Sequence, residues 1–404
     1  MKSNVLVVTR KDLFPTDHGA AVKIVRTAEA LSRLGVDVVL CTDDRRHYHV
    51  FRDGAREQHD YPFWLRWWGL PRPLALLRLL LAGFPLSNAF LYFPLKDASY
   101  RRRALHLARR YAARAYLAEF PAYAEPLLAV RARLGGRLLL CEHNVEYARL
   151  QAQLRRLSAR GLRALRQTEL ALCQASDAVI VVSEPDRLQL AQDGVPAGKL
   201  VLIPHGVDLQ AFQRVRPIDV RQRHGLSPDA LLLVYHGTYS YPPNLQALQF
   251  LAARVLPLLE QRGLAVEVLA IGSRPPATPL HPRLHFIGSV ADLAEVLPAA
   301  DLAVVPLLEG GGTRMKILDY FAAGVPVIST SKGIEGIPVT DGVQALIRDG
   351  AEPLAEAIAS LAADRARAKA LAQAASRFVA TLGWDAIATR YAELWQQPTP
   401  EEVP

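Results

Sequence analysis

At 404 residues the chain is too long for one ordinary core, so two domains are expected. Half of it is apolar, and 48 basic against 39 acidic residues (pI about 9.6) favour anionic partners such as nucleotides or acidic lipid surfaces. No nucleic-acid module is legible, and three widely spaced cysteines (Cys41, Cys141, Cys173) argue against a disulfide framework or a zinc site. They suit buried thiols in a reducing compartment. The opening MKSNVLVVTRKD has too short an apolar run for a signal peptide, and no uninterrupted apolar stretch reaches the ~20 residues of a spanning helix. A cytoplasmic chain is therefore expected.

Residues 4–9 (NVLVVT) read as a buried strand. A loop through Pro15, Asp17, His18 and Gly19 leads to a helix with apolar positions at Val22, Val25, Ala28 and Leu31, ended by Gly35. A second strand follows at 36–41. Strand, loop, helix, strand is a βαβ unit and predicts a doubly wound α/β domain. Residues 61–93 carry Trp64, Trp67 and Trp68, then a leucine-rich run with Arg72 and Arg78, and Arg101 to Arg103 follow. The preferred reading is ordinary helices over the first sheet, with the tryptophans in the core. The alternative is an amphipathic element lying on an anionic membrane surface, which would make the protein peripheral on the inner face of the plasma membrane.

Further strands are expected at 116–119, 137–141 and 178–182, with helices at about 123–133 and 145–173. The strand LLLC delivers Glu142, His143 and Asn144 to the start of the long helix, and strand ends of this kind point into a ligand crevice. LVLIPHGVDLQAF carries turn chemistry at Gly206 and Asp208, and the charged stretch 212–228 marks the domain boundary. The second domain starts with LLLVYH and the loop GTYSYPPN, where Gly237 opens the turn.

The most informative stretch is 302–330, LAVVPLLEGGGTRMKILDYFAAGVPVIST. It reads as strand, glycine turn, helix from Thr313 to Gly324, and strand. Gly310, Gly311 and Gly312 let the backbone approach a ligand, and the helix presents its positive dipole end there. Arg314 and Lys316 place two cations in the first turn, where acidic residues are usual, which points to a phosphate partner. Asp319, two turns on, can accept from hydroxyls. Backbone donors, two cations and a carboxylate together fit a sugar nucleotide.

This segment resembles the donor-site motif of the retaining glycosyltransferases of family 4. The family usually has two glutamates eight positions apart. Asp319 falls on the second, which implies the ribose role for it. The first falls on Gly311, so Glu309 is the candidate replacement toward the sugar. The loop with His18 and Gly19 is similar to the family's acceptor and phosphate loop. EHNVEY is similar to its central histidine motif, which implies that His143 lies near the reacting sugar. The family's arginine and lysine after the Gly237 turn are absent, and Arg314 and Lys316 are expected to do that work. The resemblance implies a GT-B-like fold, with two Rossmann-like doubly wound domains facing a central cleft. Residues 1–212 form the acceptor-side domain, 213–382 the donor domain, and 383–404 a crossing helix and tail.

The implied activity is metal-independent hexosyl transfer from a nucleoside diphosphate sugar to a hydroxyl acceptor with retention, in bacterial polysaccharide or glycoconjugate synthesis. The expected partners are that donor, which acts as a substrate with no further cofactor, and a glycan or lipid-linked acceptor. The rivals are a sugar-nucleotide epimerase on the same fold and a non-catalytic nucleotide-binding member.

Overall fold

Leucine and β-branched runs without polar alternation form strands covered on both faces. The computed structural model describes residues 4–11, 13–14, 16, 18–67, 72–84, 92–153, 158–311 and 314–396. They divide into two compact units, one running to Pro204 and joined by the helix Trp384–Gln396, the other spanning His205–Gly383. The sequence reading had set this boundary at 212.

In the first unit the strands are β1 (Asn4–Val8), β2 (Asp37–Cys41), β3 (His47–Arg52), β4 (Ala55–Asp60), β5 (Ala115–Glu119), β6 (Arg137–Glu142), β7 (Ala178–Val181) and β8 (Leu200–Leu202). Their order among the described residues is β4-β3-β2-β1-β5-β6-β7-β8. The pairs from β2 through β8 are parallel, while β3 is antiparallel to β2 and β4. Leu6, Val38, Leu117, Leu139 and Ile180 lie at the centre of this core. The helices Gly19–Arg33 and Trp384–Gln396 pack together, with Arg33 Nη2 2.6 Å from Asp385 Oδ1.

The second unit holds β9 (Leu231–His236), β10 (Val266–Ile271), β11 (Leu284–Gly288), β12 (Leu302–Val305), β13 (Val327–Ser329) and β14 (Leu346–Ile347). These are parallel, in the order β11-β10-β9-β12-β13-β14. Each sheet therefore reverses its winding once, between β1 and β5 and between β9 and β12. Open α/β sheets bind ligands beyond the carboxyl ends of the strands at such switch points.

Several elements differ from the sequence reading. The β3–β4 hairpin was not foreseen, although its turn is Asp53-Gly54 with φ of 51° and 82°, the left-handed pair that a tight hairpin needs. The helix expected over 145–173 consists of Glu146–Gln153 and Ala159–Ala175. Ser158 caps the second piece by accepting from Gly161 N. The donor-motif helix begins at Met315 instead of Thr313, because Arg314 has non-helical backbone angles (φ −84°, ψ 79°). Gly312 and Thr313, both expected in the site, lie outside the described residues, as does Trp68.

The expectation of core tryptophans fails for Trp64, which is 56% exposed beside Phe63 at 71%. Leu65 takes the inward position of that helix, and Trp64 lies against the edge of the His106 ring. The helix Arg72–Leu81 buries Ala75 and Leu79 and exposes Leu74, Leu77, Leu80 and Leu81. No helix among the described residues is long and apolar enough to cross a membrane.

Candidate functional site

At the second unit's switch point two loops meet, one after β9 and one after β12. Gly237 follows β9 with φ 154°. A Cβ there would stand 2.7 Å from Asn244 Nδ2 and 3.0 Å from Lys316 Nζ, so a side chain would displace both groups as well as strain the backbone. Asn244 ties the loop to the motif helix: its Oδ1 accepts from Tyr235 Oη (2.7 Å) and Lys316 Nζ (2.8 Å), and its Nδ2 donates to the Thr238 carbonyl (2.8 Å).

Lys316 is partly exposed as a residue, but its ammonium lies deep, 3.8 Å from the Tyr235 ring centroid. No carboxylate among the described residues is in ion-pair contact with it. Burial, then the neighbouring Arg314, hold its pKa well below the usual lysine range. Arg314 is itself buried, which lowers its pKa, and its guanidinium donates to the Gly311 carbonyl. Gly310 (φ 117°) lets that guanidinium and the Tyr241 hydroxyl come close, since a Cβ would stand 3.0 Å from Tyr241 Oη and 3.3 Å from Arg314 Nη2. The Gly311 N–H points to Tyr241 Oη at 3.4 Å. The structure thus brings Gly237, Gly310, Gly311, Arg314 and Lys316 together around two cations.

Asp319 lies one helical turn beyond Lys316, with its Oδ2 3.3 Å from His236 Nε2, although the two are not aligned for a hydrogen bond. The His236 ring packs edge-on to Tyr320, whose hydroxyl accepts from the His236 backbone N–H at 2.8 Å. Glu309 is exposed on the turn. Sequence reasoning missed Tyr235, His236, Tyr241 and Asn244. The signal available for the last two was the segment GTYSYPPN, whose polar residues sit just beyond a strand end.

The first unit's switch point holds the other predicted residues. His18 caps the helix Gly19–Arg33: its Nδ1 accepts from Ala21 N at 3.2 Å, and Gly19 is the first helical residue. His143 follows β6 and is buried, with Nε2 2.7 Å from Glu119 Oε2 and its ring stacked on Phe120 at 4.2 Å. Glu119 also accepts from Lys23 Nζ at 2.6 and 2.7 Å. Burial pushes the Glu119 carboxyl up, but Lys23 and His143 outweigh it and bring it to about 2. Burial lowers the His143 pKa despite the carboxylate beside it. Lys23 further touches Cys141 Sγ at 3.1 Å, and burial pushes that thiol up to about 12. Glu119, Cys141 and His143 offer atoms within 4.8 Å of one another, near enough to share a cation, but the Lys23 ammonium already contacts two of the three.

The family described as "Glycosyltransferase Family 4" matches residues 18–211, and "Glycosyl transferases group 1" matches 230–364. The chain belongs to the family 4 glycosyltransferases. Among its relatives, a D-inositol 3-phosphate glycosyltransferase of Geodermatophilus obscurus is 30% identical over 235 residues, which cover 51% of each chain. The GDP-mannose-dependent alpha-(1-6)-phosphatidylinositol monomannoside mannosyltransferase of Mycobacterium tuberculosis is 28% identical over 301 residues, 66% of this chain and 72% of the relative. The match to the inositol phosphate enzyme thus spans about half the length of that relative.

The fold is GT-B. Sucrose-phosphate synthase from Thermosynechococcus elongatus superposes with TM-score 0.73 at 19% identity, covering 98% of this chain and 99% of that one. Anabaena HepE in complex with UDP-glucose superposes with TM-score 0.67 at 14% identity, covering 97% and 99%. In this family 4 chain a groove of about 770 Å³ is lined by Leu231, Leu302 and Pro326, near the amino ends of β9, β12 and β13. It lies at the strand ends remote from the glycine turns, where the fold does not place donors.

Proposed function

We propose that the chain transfers a hexosyl group from a nucleoside diphosphate sugar to a hydroxyl acceptor, with retention and without a metal ion. The observation that carries this reading is Lys316. Its pKa is held low by burial, it has no carboxylate in ion-pair contact among the described residues, and it lies at a glycine-walled turn beside a second buried cation. A diphosphate supplies the charge that this arrangement lacks.

Arg314, Lys316 and the glycine amides stabilise the departing diphosphate, whose developing charge is the main electrostatic problem of the reaction. Gly312 and Thr313 belong to the same proposed turn. Asp319 accepts from the ribose hydroxyls once its contact with His236 gives way, and Glu309 serves the sugar. His143 carries the role near the reacting sugar that the family resemblance implies, and the His18–Gly19 loop serves the acceptor or phosphate. In a same-face reaction the departing phosphate oxygen takes the acceptor proton, so no carboxylate nucleophile is assigned.

The acceptor is a glycan or lipid-linked glycan met at an anionic membrane surface, with the protein peripheral on its cytoplasmic side. Exposed Phe63, Trp64, Leu74, Leu77 and Leu81 beside Arg78 support this part. Co-sedimentation with anionic vesicles at low salt should be lost in a Phe63→Ser/Trp64→Ser variant. Absence of wild-type binding would remove the membrane part alone.

A thermal-shift screen over nucleoside diphosphate sugars tests the donor, because a ligand of the folded state raises apparent stability. The hit is then incubated with and without glycan acceptors, and the anomeric product is read by NMR. Retained product formed only with acceptor is the expected result. Conversion of the donor without acceptor would instead indicate an epimerase, and no stabilising donor at all would overturn the proposal.

A further inference from the structure

Phe120, at the end of β5, has φ 76° and ψ 149°, a region that side chains other than glycine rarely occupy. That backbone turn has two consequences. It leaves Glu119 pointing at His143 from the strand end, and it lays the Phe120 ring flat on the imidazole, with 16° between the planes. The Phe120 N–H is fixed to the Cys141 carbonyl at 3.1 Å, so the strained residue and the strand bearing His143 move as one piece.

Behind the carboxylate stands Lys23, from the second turn of the helix Gly19–Arg33, 3% exposed and with both Glu119 oxygens in reach. The Tyr391 ring lies 5.1 Å from its ammonium, and the Tyr391 hydroxyl is 3.4 Å from Cys141 Sγ. His143 is therefore held by a carboxylate and an aromatic face, and the carboxylate is in turn fixed by the Lys23 ammonium.

We propose that Glu119, locked by Lys23, is a positioning residue that fixes His143 as its Nε2–H tautomer, with the ring held flat by Phe120. The chemistry follows from the donor set. An ionised carboxylate only accepts, so the imidazole nitrogen 2.7 Å away must carry the hydrogen. In the neutral ring Nδ1 is then the acceptor. Lys23 keeps the carboxylate ionised in a buried place, so the tautomer does not drift with the surroundings. The inference rests on the transferase reading only for what the fixed ring is used for.

The test uses the full chain with 15N-labelled histidine, its His143 signals assigned by comparison with a His143→Gln variant. Long-range proton–nitrogen spectra at pH 7.5 should show the Nε2–H form in the wild type. The double variant Glu119→Gln/Lys23→Met removes both charges at nearly constant volume. Glu119→Asp keeps the counter-ion of Lys23 but draws the carboxylate back by one methylene, and it serves if the double variant does not fold. In either, the Nε2–H form should lose its dominance. Transfer from the donor that the thermal-shift screen identifies to its glycan acceptor should fall at least tenfold in kcat, with KM changed less than twofold. A wild-type Nδ1–H form, or an unchanged tautomer in a folded variant, overturns the inference. Failure of the transferase reading has a different mark: a wild type that turns over no nucleoside diphosphate sugar while the tautomer still responds to Glu119.

Discussion

Lys23 and Lys316 stand at the switch points of the two sheets, each next to a tyrosine ring, and they are opposites. Lys23 has its counter-ion built in. Glu119 lies 2.6 Å away, and although burial alone pulls the ammonium down, Cys141, Glu119 and Tyr391 hold it well above the usual lysine range. Lys316 has an amide oxygen and a ring face for company, and burial leaves its pKa well below that range. A completed ion pair is a structural element. An incomplete one is a binding site, because the energy of pairing is left for the ligand to supply.

The largest expected effect that follows is on stability. Lys23→Met strands the Glu119 carboxylate in the core, and breaking a buried pair this way costs about 3–5 kcal/mol. Lys316→Met strands nothing and removes a group whose depressed pKa works against the fold at neutral pH, so the unliganded melting temperature should hold or rise. Urea titrations of both variants decide this, and equal losses would erase the distinction between the two lysines.

The next effect is on binding. A charge-assisted hydrogen bond contributes roughly 1.5–3 kcal/mol, so Lys316→Met and Arg314→Ala should each weaken nucleoside diphosphate affinity about tenfold to more than a hundredfold. Calorimetry with UDP and GDP measures it, and unchanged affinity in both variants would remove the diphosphate assignment. Asp319→Asn should weaken free nucleoside diphosphate and full donor alike, whereas Glu309→Gln should weaken only the full donor.

The smallest effect is in the alkaline pH dependence of stability, and the two lysines have opposite signs there. Lys316 has a depressed folded pKa, so the unfolded chain binds more protons and stability from this group rises as pH climbs toward the ordinary lysine value. Lys23 has a raised folded pKa, so its contribution is complete below the ordinary lysine value and is lost above it, as pH passes the folded pKa. Between pH 8 and 10, Lys316→Met should therefore flatten the rise of the wild-type curve. A steeper rise in that variant would contradict the assigned direction.

The donor half was far more legible in the sequence than the acceptor half, for a physical reason. The stretch 309–319 is local in sequence, so glycines, cations and Asp319 lie within a few residues of one another, and spacing alone reveals their meeting. The His143 site is assembled from Lys23, Glu119, Phe120, Cys141, His143 and Tyr391, which meet only when β1, β5 and β6 align and the helix Trp384–Gln396 docks. Nothing near Glu119 in sequence announces its partner. Trp64 was misjudged because an aromatic run does not say which of its members faces the sheet, and Leu65 took that place. The β3–β4 hairpin was missed although Asp53-Gly54 signalled it.

That hairpin bears on how the protein behaves at high local concentration. β4 forms one rim of the first sheet, and its side chains, among them Arg56, Glu57 and Asp60, are largely exposed. An unpaired sheet edge is a template for another chain's strand, and charged side chains along it repel such pairing. Crowding many copies on one surface should therefore not zip them together through their sheets.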